Sequence, residues 1–306
     1  RGRTRPASPD PEWHADGPSR DSRCFPPDRC AGASRRQRSP ADPRRGAFMK
    51  VERPHIAVFG AGRTGREIAL AFAHGGYDVR IIDGETRRPD EFTRFADEVR
   101  AALRTALATF AVNAVDRIDA RVHVVPATDI ADVLARADVV FEAVADTLEA
   151  KRIALARIGA DAVPGATIAS TTASLLATDL AGFVPRPERF LAVRWPDPAY
   201  LMPIVELSPH PATSRHALSW LRAILEDIGN VPVECAPAPG GIVDRLRSLV
   251  ANETARMVEE GLATPEAVER ATRFGLGLHL LSGGPDDTPA RTLALVRHLG
   301  IDRDPR

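Results

Sequence analysis

The stretch that most constrains this chain runs from His55 to Asp83. His55-Ile-Ala-Val-Phe59 is an apolar strand, Gly60-Ala61-Gly62-Arg63-Thr64-Gly65 follows at once, and 67–74 reads as a helix stopped by Gly75 and Gly76. Tyr77-Asp-Val-Arg-Ile-Ile-Asp83 is the next strand, and its acid stands 23 residues after the first glycine. A lone Gly-x-Gly-x-x-Gly is a weak signal. Between a strand and a helix, with an acid closing the second strand, it specifies a dinucleotide-binding unit. Gly60 permits the tight turn, Gly62 lets the backbone approach a pyrophosphate, and Gly65 lets helix and strand pack closely. The helix N-terminus then offers N–H groups to the phosphates. Asp83 accepts hydrogen bonds from the adenine ribose and repels a 2′-phosphate, which makes NAD the expected cofactor, while Arg87 and Arg88 stand close enough to weaken that preference. A glycine turn that binds no nucleotide is the bland alternative, and the full context weighs against it.

Downstream the alternation continues. Helical signals over 91–112, 130–137 and 147–158 separate apolar strand runs at 122–125, 138–142 and 166–169. Strands alternating with helices predict an α/β fold with a doubly wound sheet of the Rossmann type. Residues 189–207 add strands at the far edge, followed by a helix over 216–228 and a short strand over 231–234. Ala236-Pro-Ala-Pro-Gly-Gly241 reads as a linker, and after it only helices are signalled, over 242–260, 265–274 and 289–299. The expected organisation is a Rossmann-type domain over 52–236 and a small, shortened all-helical domain over 237–306. Such a helical unit needs the sheet or a second subunit to pack on.

Residues 1–48 alternate Arg, Pro, Ser and Asp with hardly any apolar periodicity, so a disordered tail is expected. Met49, the first methionine, stands directly before the patterned domain, the arrangement that upstream sequence carried in by an over-long gene assignment would produce. The 41 basic and 41 acidic residues cancel, which argues against nucleic acid or an anionic membrane as a partner. No run of about 18 apolar residues and no apolar secretory core is present, so a cytoplasmic protein is expected. Cys24, Cys30 and Cys235 supply neither a disulfide framework nor zinc-ligand spacing, and no metal site is expected.

A second informative stretch runs from Arg189 to Glu206. Phe190-Leu-Ala-Val193 and Pro203-Ile-Val-Glu-Leu207 have the length and apolar content of buried strands, and Pro196 and Pro198 keep one from running into the other. They carry two charges, Arg194 and Glu206. Rim residues reaching water, or a pair that neutralise each other, are the simple readings.

With these pieces in place, the order of motifs resembles the NAD-dependent 3-hydroxyacyl-CoA dehydrogenase family over residues 55–285. The resemblance rests on Val58-Phe-Gly-Ala-Gly-Arg-Thr-Gly65, Val140-Phe-Glu-Ala-Val144 with Lys151, Ile168-Ala-Ser-Thr-Thr-Ala-Ser-Leu175, the 189–206 stretch and Pro239-Gly-Gly-Ile-Val-Asp-Arg245. It implies a Rossmann-type domain, a helical C-terminal domain that usually forms the dimer interface, and hydride transfer between NAD and carbon 3 of an acyl-CoA. On the cofactor side it implies roles for Gly60, Ala61, Gly62, Arg63, Thr64, Gly65 and Asp83. Asp146 stands where the family usually has a glutamate, Lys151 matches a cofactor-contacting lysine, and Asp197 replaces an asparagine. On the chemical side, the family's His–Glu pair falls on Arg194 and Glu206, its substrate-contacting serine on Ala173, and its C-terminal asparagine on Asp244.

These replacements change the chemistry. A histidine accepts the hydroxyl proton as hydride leaves, with the glutamate orienting it. Arginine holds its proton far above neutral pH and has no acceptor. An Arg194–Glu206 ion pair is therefore expected, with Arg194 still able to polarise a carbonyl or clamp a carboxylate. Aspartates at 197 and 244 put negative charge where amides were. His210, which shares strand parity with Glu206, is the nearest candidate for a substitute base, while His123 and His216 have no partner pattern. Two functions follow. One is an NAD-dependent oxidoreductase acting on a small-molecule substrate, an acyl-CoA or related 3-hydroxy acid, with a homodimer formed through the C-terminal helices. The other is a catalytically silent NAD-binding relative that serves as sensor or partner subunit. The intact glycine loop and Asp83 disfavour a ligand-free scaffold.

Overall fold

The computed structural model describes residues 53–109 and 120–282. The expected tail at 1–48, the end of the second helix beyond residue 109 and the helix at 289–299 lie outside the described residues.

Eight strands form one sheet: β1 (Ile56–Phe59), β2 (Val79–Ile82), β3 (Val122–Val125), β4 (Val139–Glu142), β5 (Thr167–Thr171), β6 (Phe190–Arg194), β7 (Ile204–Pro209) and β8 (Val231–Glu234). Their order is β3-β2-β1-β4-β5-β6-β7-β8. The first six are parallel. β7 pairs antiparallel with β6 and β8 parallel with β7, so the last two strands run opposite to the rest. Around the sheet lie α1 (Arg63–His74), α2 (Pro89–Thr109), α3 (Ile130–Leu134), α4 (Leu148–Asp161), α5 (Ala177–Leu180) and α6 (Arg215–Asp227). After the sheet come α7 (Val243–Glu259), α8 (Pro265–Ala271) and α9 (Gly277–Ser282).

β1, β4, β5 and β6 are buried along their whole length, as strands covered on both faces must be. The two-residue alternation of side chains sorts the core. Ile56 and Val58 point into one cluster with Phe72 of α1, Val99 of α2 and Leu221 of α6. Ala57 and Phe59 point into the other, with Leu134 of α3, Leu155 of α4 and Leu180 of α5. Three helices thus cover each face. Because the chain leaves β1 toward β2 on one side and returns to β4 on the other, the loops after β1 and β4 diverge. They open a crevice at the carboxyl ends of the strands.

Several element boundaries differ from the pattern. α1 begins at Arg63, inside the glycine loop, because the apolar period marks only the buried face while the first turn faces the crevice. α5 is four residues long, too short to leave a periodic signal. The single helix expected over 265–274 is instead α8, a π-helical turn at Thr272–Leu276 and α9. Gly275 and Gly277 lower helix propensity at that point. No helix among the described residues is long and apolar enough to cross a membrane.

Candidate active site

The crevice starts at the glycine loop. Gly60 has φ +114°, and a Cβ there would lie 2.7 Å from the Ala143 carbonyl oxygen. A Cβ on Gly65 would collide with the Gly60 carbonyl oxygen. The protein's own packing demands both glycines. Gly62 is different, since a Cβ would meet only the Ala143 oxygen, at 3.9 Å. What glycine preserves there is open space over the N-terminus of α1. Gly62 is the N-cap of that helix, no side chain caps it, and its first turn carries no acid. The open N–H groups of Arg63 and its neighbours form an anion site that fits a pyrophosphate.

One arm of the crevice, a cavity of about 830 Å³, runs from Gly60 and Ala61 past Asp83 to Arg87, Phe95 and Ile153. Asp83 directly follows β2 and has both carboxylate oxygens engaged. Arg87 Nε donates to Oδ2 at 2.6 Å and the Glu85 N–H donates to Oδ1 at 3.1 Å. The Arg87 guanidinium also pairs with Glu85 at 2.8 Å and lies 4.4 Å over the Phe95 ring. Arg88 turns away to Glu91. Of the two arginines flagged from sequence, one neutralises Asp83 and the other does not take part.

The other arm, a cleft of about 340 Å³, meets the first at Gly62 and Val144 and extends to the ends of β5 and β6. Arg63, Thr64 and Asp146 line it. Asp146 Oδ2 accepts the N–H groups of Ala173 and Ser174, each at 3.0 Å, and the Ser174 hydroxyl at 2.9 Å. Burial pushes its carboxyl up, but the Thr172 and Ser174 hydroxyls and the two N–H groups outweigh this and hold it below the ordinary aspartate value. Asp197 sits on the rim, where its carboxylate meets Arg63 at 2.9 Å between exposed side chains.

Lys151, expected at the cofactor, lies instead beneath the floor of the cleft and is fully buried. Its ammonium donates to both oxygens of Glu142, at 3.0 and 2.9 Å, and to the Thr171 carbonyl. Glu142 also accepts the Ser170 hydroxyl and the Val144 N–H. Three donors on three acceptors leave this lysine no free N–H. A signal was present in the sequence, since Lys151, Ala154, Leu155 and Ile158 share one helical stripe and that stripe is buried. Glu142, at the end of a wholly buried strand, is the partner that the sequence reading missed.

Arg194 and Glu206 face each other directly across β6 and β7. The expected ion pair between them does not form, because each has a better partner. Glu206, 1% exposed, accepts the Ile242 N–H at 3.0 Å and the Val243 N–H at 2.7 Å, and so caps the N-terminus of α7. Gly241, at φ +56°, permits this: a Cβ there would collide with the Glu206 carboxylate. The helix terminus is itself partially positive and satisfies the carboxylate with directed N–H bonds. Arg194, 6% exposed, donates from Nε to the Ala173 carbonyl at 3.4 Å and from Nη2 to the Ala238 carbonyl at 3.0 Å. Its Nη1 is buried in the cleft wall with no acceptor.

None of the described histidines lines either arm. His210 is excluded as a substitute base by strand direction. β7 runs away from the cleft, so His210 lies four residues beyond Glu206, roughly 13 Å down the sheet. There it bonds to Thr213 and Ala212.

A family model described as 3-hydroxyacyl-CoA dehydrogenase, NAD binding domain, matches residues 55–238. The mitochondrial hydroxyacyl-coenzyme A dehydrogenase of Sus scrofa is 30% identical over 258 residues, spanning 83% of this chain and 78% of that protein. The 3-hydroxyadipyl-CoA dehydrogenase of Escherichia coli (strain K12) is 30% identical over 229 residues, 75% of this chain but 47% of that protein. The chain thus spans about half the length of that relative. The crystal structure of (S)-3-hydroxybutyryl-CoA dehydrogenase from Ralstonia eutropha has a TM-score of 0.63 at 25% identity, over 80% of this chain and 82% of that one. This chain's eight-stranded sheet, the crevice at the point where its strand order reverses, and these likenesses agree: the cofactor is NAD, and the chain belongs to the 3-hydroxyacyl-CoA dehydrogenase family of oxidoreductases.

Proposed function

We propose that the chain is an NAD-dependent oxidoreductase that works on the 3-hydroxy or 3-oxo carbon of an acyl-CoA or related 3-hydroxy acid, without a histidine base. The observation that carries this is the cleft that joins the glycine loop at Gly62 and reaches Arg194 at the ends of β5 and β6. In this reading the pyrophosphate lies on Gly60–Gly65, the adenine ribose on Asp83 and the nicotinamide end beside Asp146, with Asp197 at the rim. NAD bound there supplies the hydride acceptor. The Arg194 guanidinium in the cleft wall supplies positive charge that stabilises negative charge on the substrate oxygen. It cannot take the hydroxyl proton, which passes to solvent. Since general acid–base catalysis contributes roughly 10²–10⁴-fold, turnover is slow by that margin.

A second reading, a silent NAD-binding sensor or partner subunit, is favoured by one feature. Glu206, the surviving half of the family's pair, is committed to α7. Titration with NADH, followed by acetoacetyl-CoA-dependent NADH oxidation, separates the two. Binding with slow turnover supports the oxidoreductase, binding with none supports the silent relative, and no NADH binding sinks both. Arg194→His with Asp197→Asn should raise activity.

The same reading places the division between a sheet domain at 52–236 and a helical domain at 237–306, with 1–48 apart from both. The left-handed Gly240 and Gly241 between β8 and α7 support that boundary. A role in fatty-acid metabolism and a cytoplasmic setting complete it, the free thiol of Cys235 suiting a reducing compartment.

A further inference from the structure

The loop between β6 and β7 supplies part of the cleft wall, through Trp195 and Pro196. Three contacts tie it to α1. The Trp195 and Phe72 rings meet edge to face with centroids 6.4 Å apart, Asp197 meets Arg63 at 2.9 Å, and the Ala199 N–H donates to Glu67 Oε2 at 2.6 Å. Arg63 and Glu67 stand four residues apart and so share one face of the helix. The Arg63–Asp197 pair joins exposed side chains and contributes little. The bond to Glu67 is different. Ala199 is 2% exposed, and a buried N–H needs an acceptor. The loop's own bonds lie further on, where the Pro198 carbonyl accepts the Leu201 and Met202 N–H groups, each at 3.1 Å. Burial pushes the Glu67 carboxyl above the ordinary glutamate value; the Ala199 N–H, Arg63 and Arg66 pull it back and Asp197 adds to the rise. An apolar side chain here would avoid that cost but leave the Ala199 N–H unpaired.

We propose that Glu67 is a positioning residue: by holding Ala199 it sets Trp195 and Pro196 in the cleft wall and so shapes the space that the nicotinamide takes. This rests on the reading of the cleft as the nicotinamide end of the NAD site. Glu67 lines neither arm of the crevice and acts through the loop. The helix that carries it has two tasks. Its N-terminus at Gly62 and Arg63 faces the pyrophosphate, and one turn later Glu67 fastens the wall, so one rigid element sets the distance between the two. The adenosine arm, from Gly60 past Asp83 to Phe95 and Ile153, contains no residue of the β6–β7 loop. Loss of Glu67 is therefore felt at the nicotinamide and not at the rest of the cofactor.

The test compares NADH with ADP-ribose, which keeps the adenosine, the pyrophosphate and the second ribose but lacks the nicotinamide. Calorimetry reads both affinities for the full chain, Glu67→Ala and Glu67→Gln, and the melting midpoint is measured for each. Glu67→Ala should weaken NADH by roughly tenfold, the scale of one lost hydrogen bond to a charged group, and leave ADP-ribose unchanged. Glu67→Gln should keep most of the NADH affinity, since its amide oxygen still accepts the Ala199 N–H. Should Glu67→Ala fail to fold, Glu67→Asp carries the comparison, because it keeps the charge but draws the acceptor back by one carbon. Unchanged NADH affinity in the Ala variant, or in the Asp variant that replaces it, overturns the proposal. Equal weakening of NADH and ADP-ribose overturns it too, since Glu67 would then act on α1 as a whole. So does a Gln variant as weak as the Ala one. In these three cases NADH binding by the natural protein leaves the parent reading standing, whereas its absence removes both.

Discussion

At the scale of single residues, the carboxylate that a catalytic pair would use is holding a helix in place. Glu206→Gln keeps the shape but replaces a charged acceptor of the Ile242 and Val243 N–H groups by an amide. Hydrogen bonds to a charged group are worth about 1.5–3 kcal/mol, so a loss of that order is expected in urea unfolding, the protein melting lower than the natural one. No change in stability would remove the capping role. The family resemblance set Arg194 beside Glu206, and the two strands do place them opposite each other. The missing ion pair was not readable, because the competing donors belong to a helix 36 residues later in the chain. Asp146 gives a pH signature. Its folded-state pKa lies below the ordinary aspartate value, burial opposing and the hydroxyl and N–H donors prevailing. The stabilisation it provides is therefore complete above the unfolded value of about 3.9 and is lost as pH falls through the folded one. The stability difference between the natural protein and Asp146→Asn should be flat near neutrality and shrink below about pH 4.

At the scale of elements, α4 is tied to β4 and β5 by the buried Lys151–Glu142 pair and its bond to Thr171. Lys151→Met leaves the buried Glu142 carboxylate without its cation, with only the Ser170 hydroxyl and the Val144 N–H to bond it, and should cost about 3–5 kcal/mol. Lys151→Met with Glu142→Gln should recover much of it. A cost for the double variant equal to the single one would show that the tether acts through packing rather than charge. The turn after β2 offers a second check. Arg87 covers the charge of Asp83 and stands beside the adenosine arm, so it blunts repulsion of a 2′-phosphate. Arg87→Ala should leave NADH binding nearly unchanged and weaken NADPH severalfold, as fluorescence titration would show. Weakening of both to the same degree would make Arg87 a packing residue of the arm. Sequence spacing placed Arg87 and Arg88 equally near Asp83. Only the fold, which pairs Arg87 with Asp83 and Arg88 with Glu91, decides between them.

At the scale of the whole molecule, the sheet was legible because each buried strand is a short apolar run bounded by a helix signal or a proline. The direction of β7 and β8, and with it the exclusion of His210, was not, since apolar runs carry no sign of polarity along the chain. The C-terminal helices were legible as helices, and what they pack on was left open. α7 has no buried residue, and Leu246, Leu249, Leu262, Phe274 and Leu280 are each more than half exposed. Among the described residues the groove of Leu249, Val250, Met257, Leu262 and Leu276 has no protein cover. Apolar surface of this extent on one helical unit favours burial against a second copy, which repeats the same patch by two-fold symmetry. Light scattering after gel filtration should give twice the chain mass at micromolar concentration. Leu246→Glu with Leu249→Glu should shift it to the single-chain mass, while NADH still binds, because neither residue lines the crevice. A natural protein that stays at the single-chain mass up to its solubility limit would leave the helical unit to stand on the sheet domain alone.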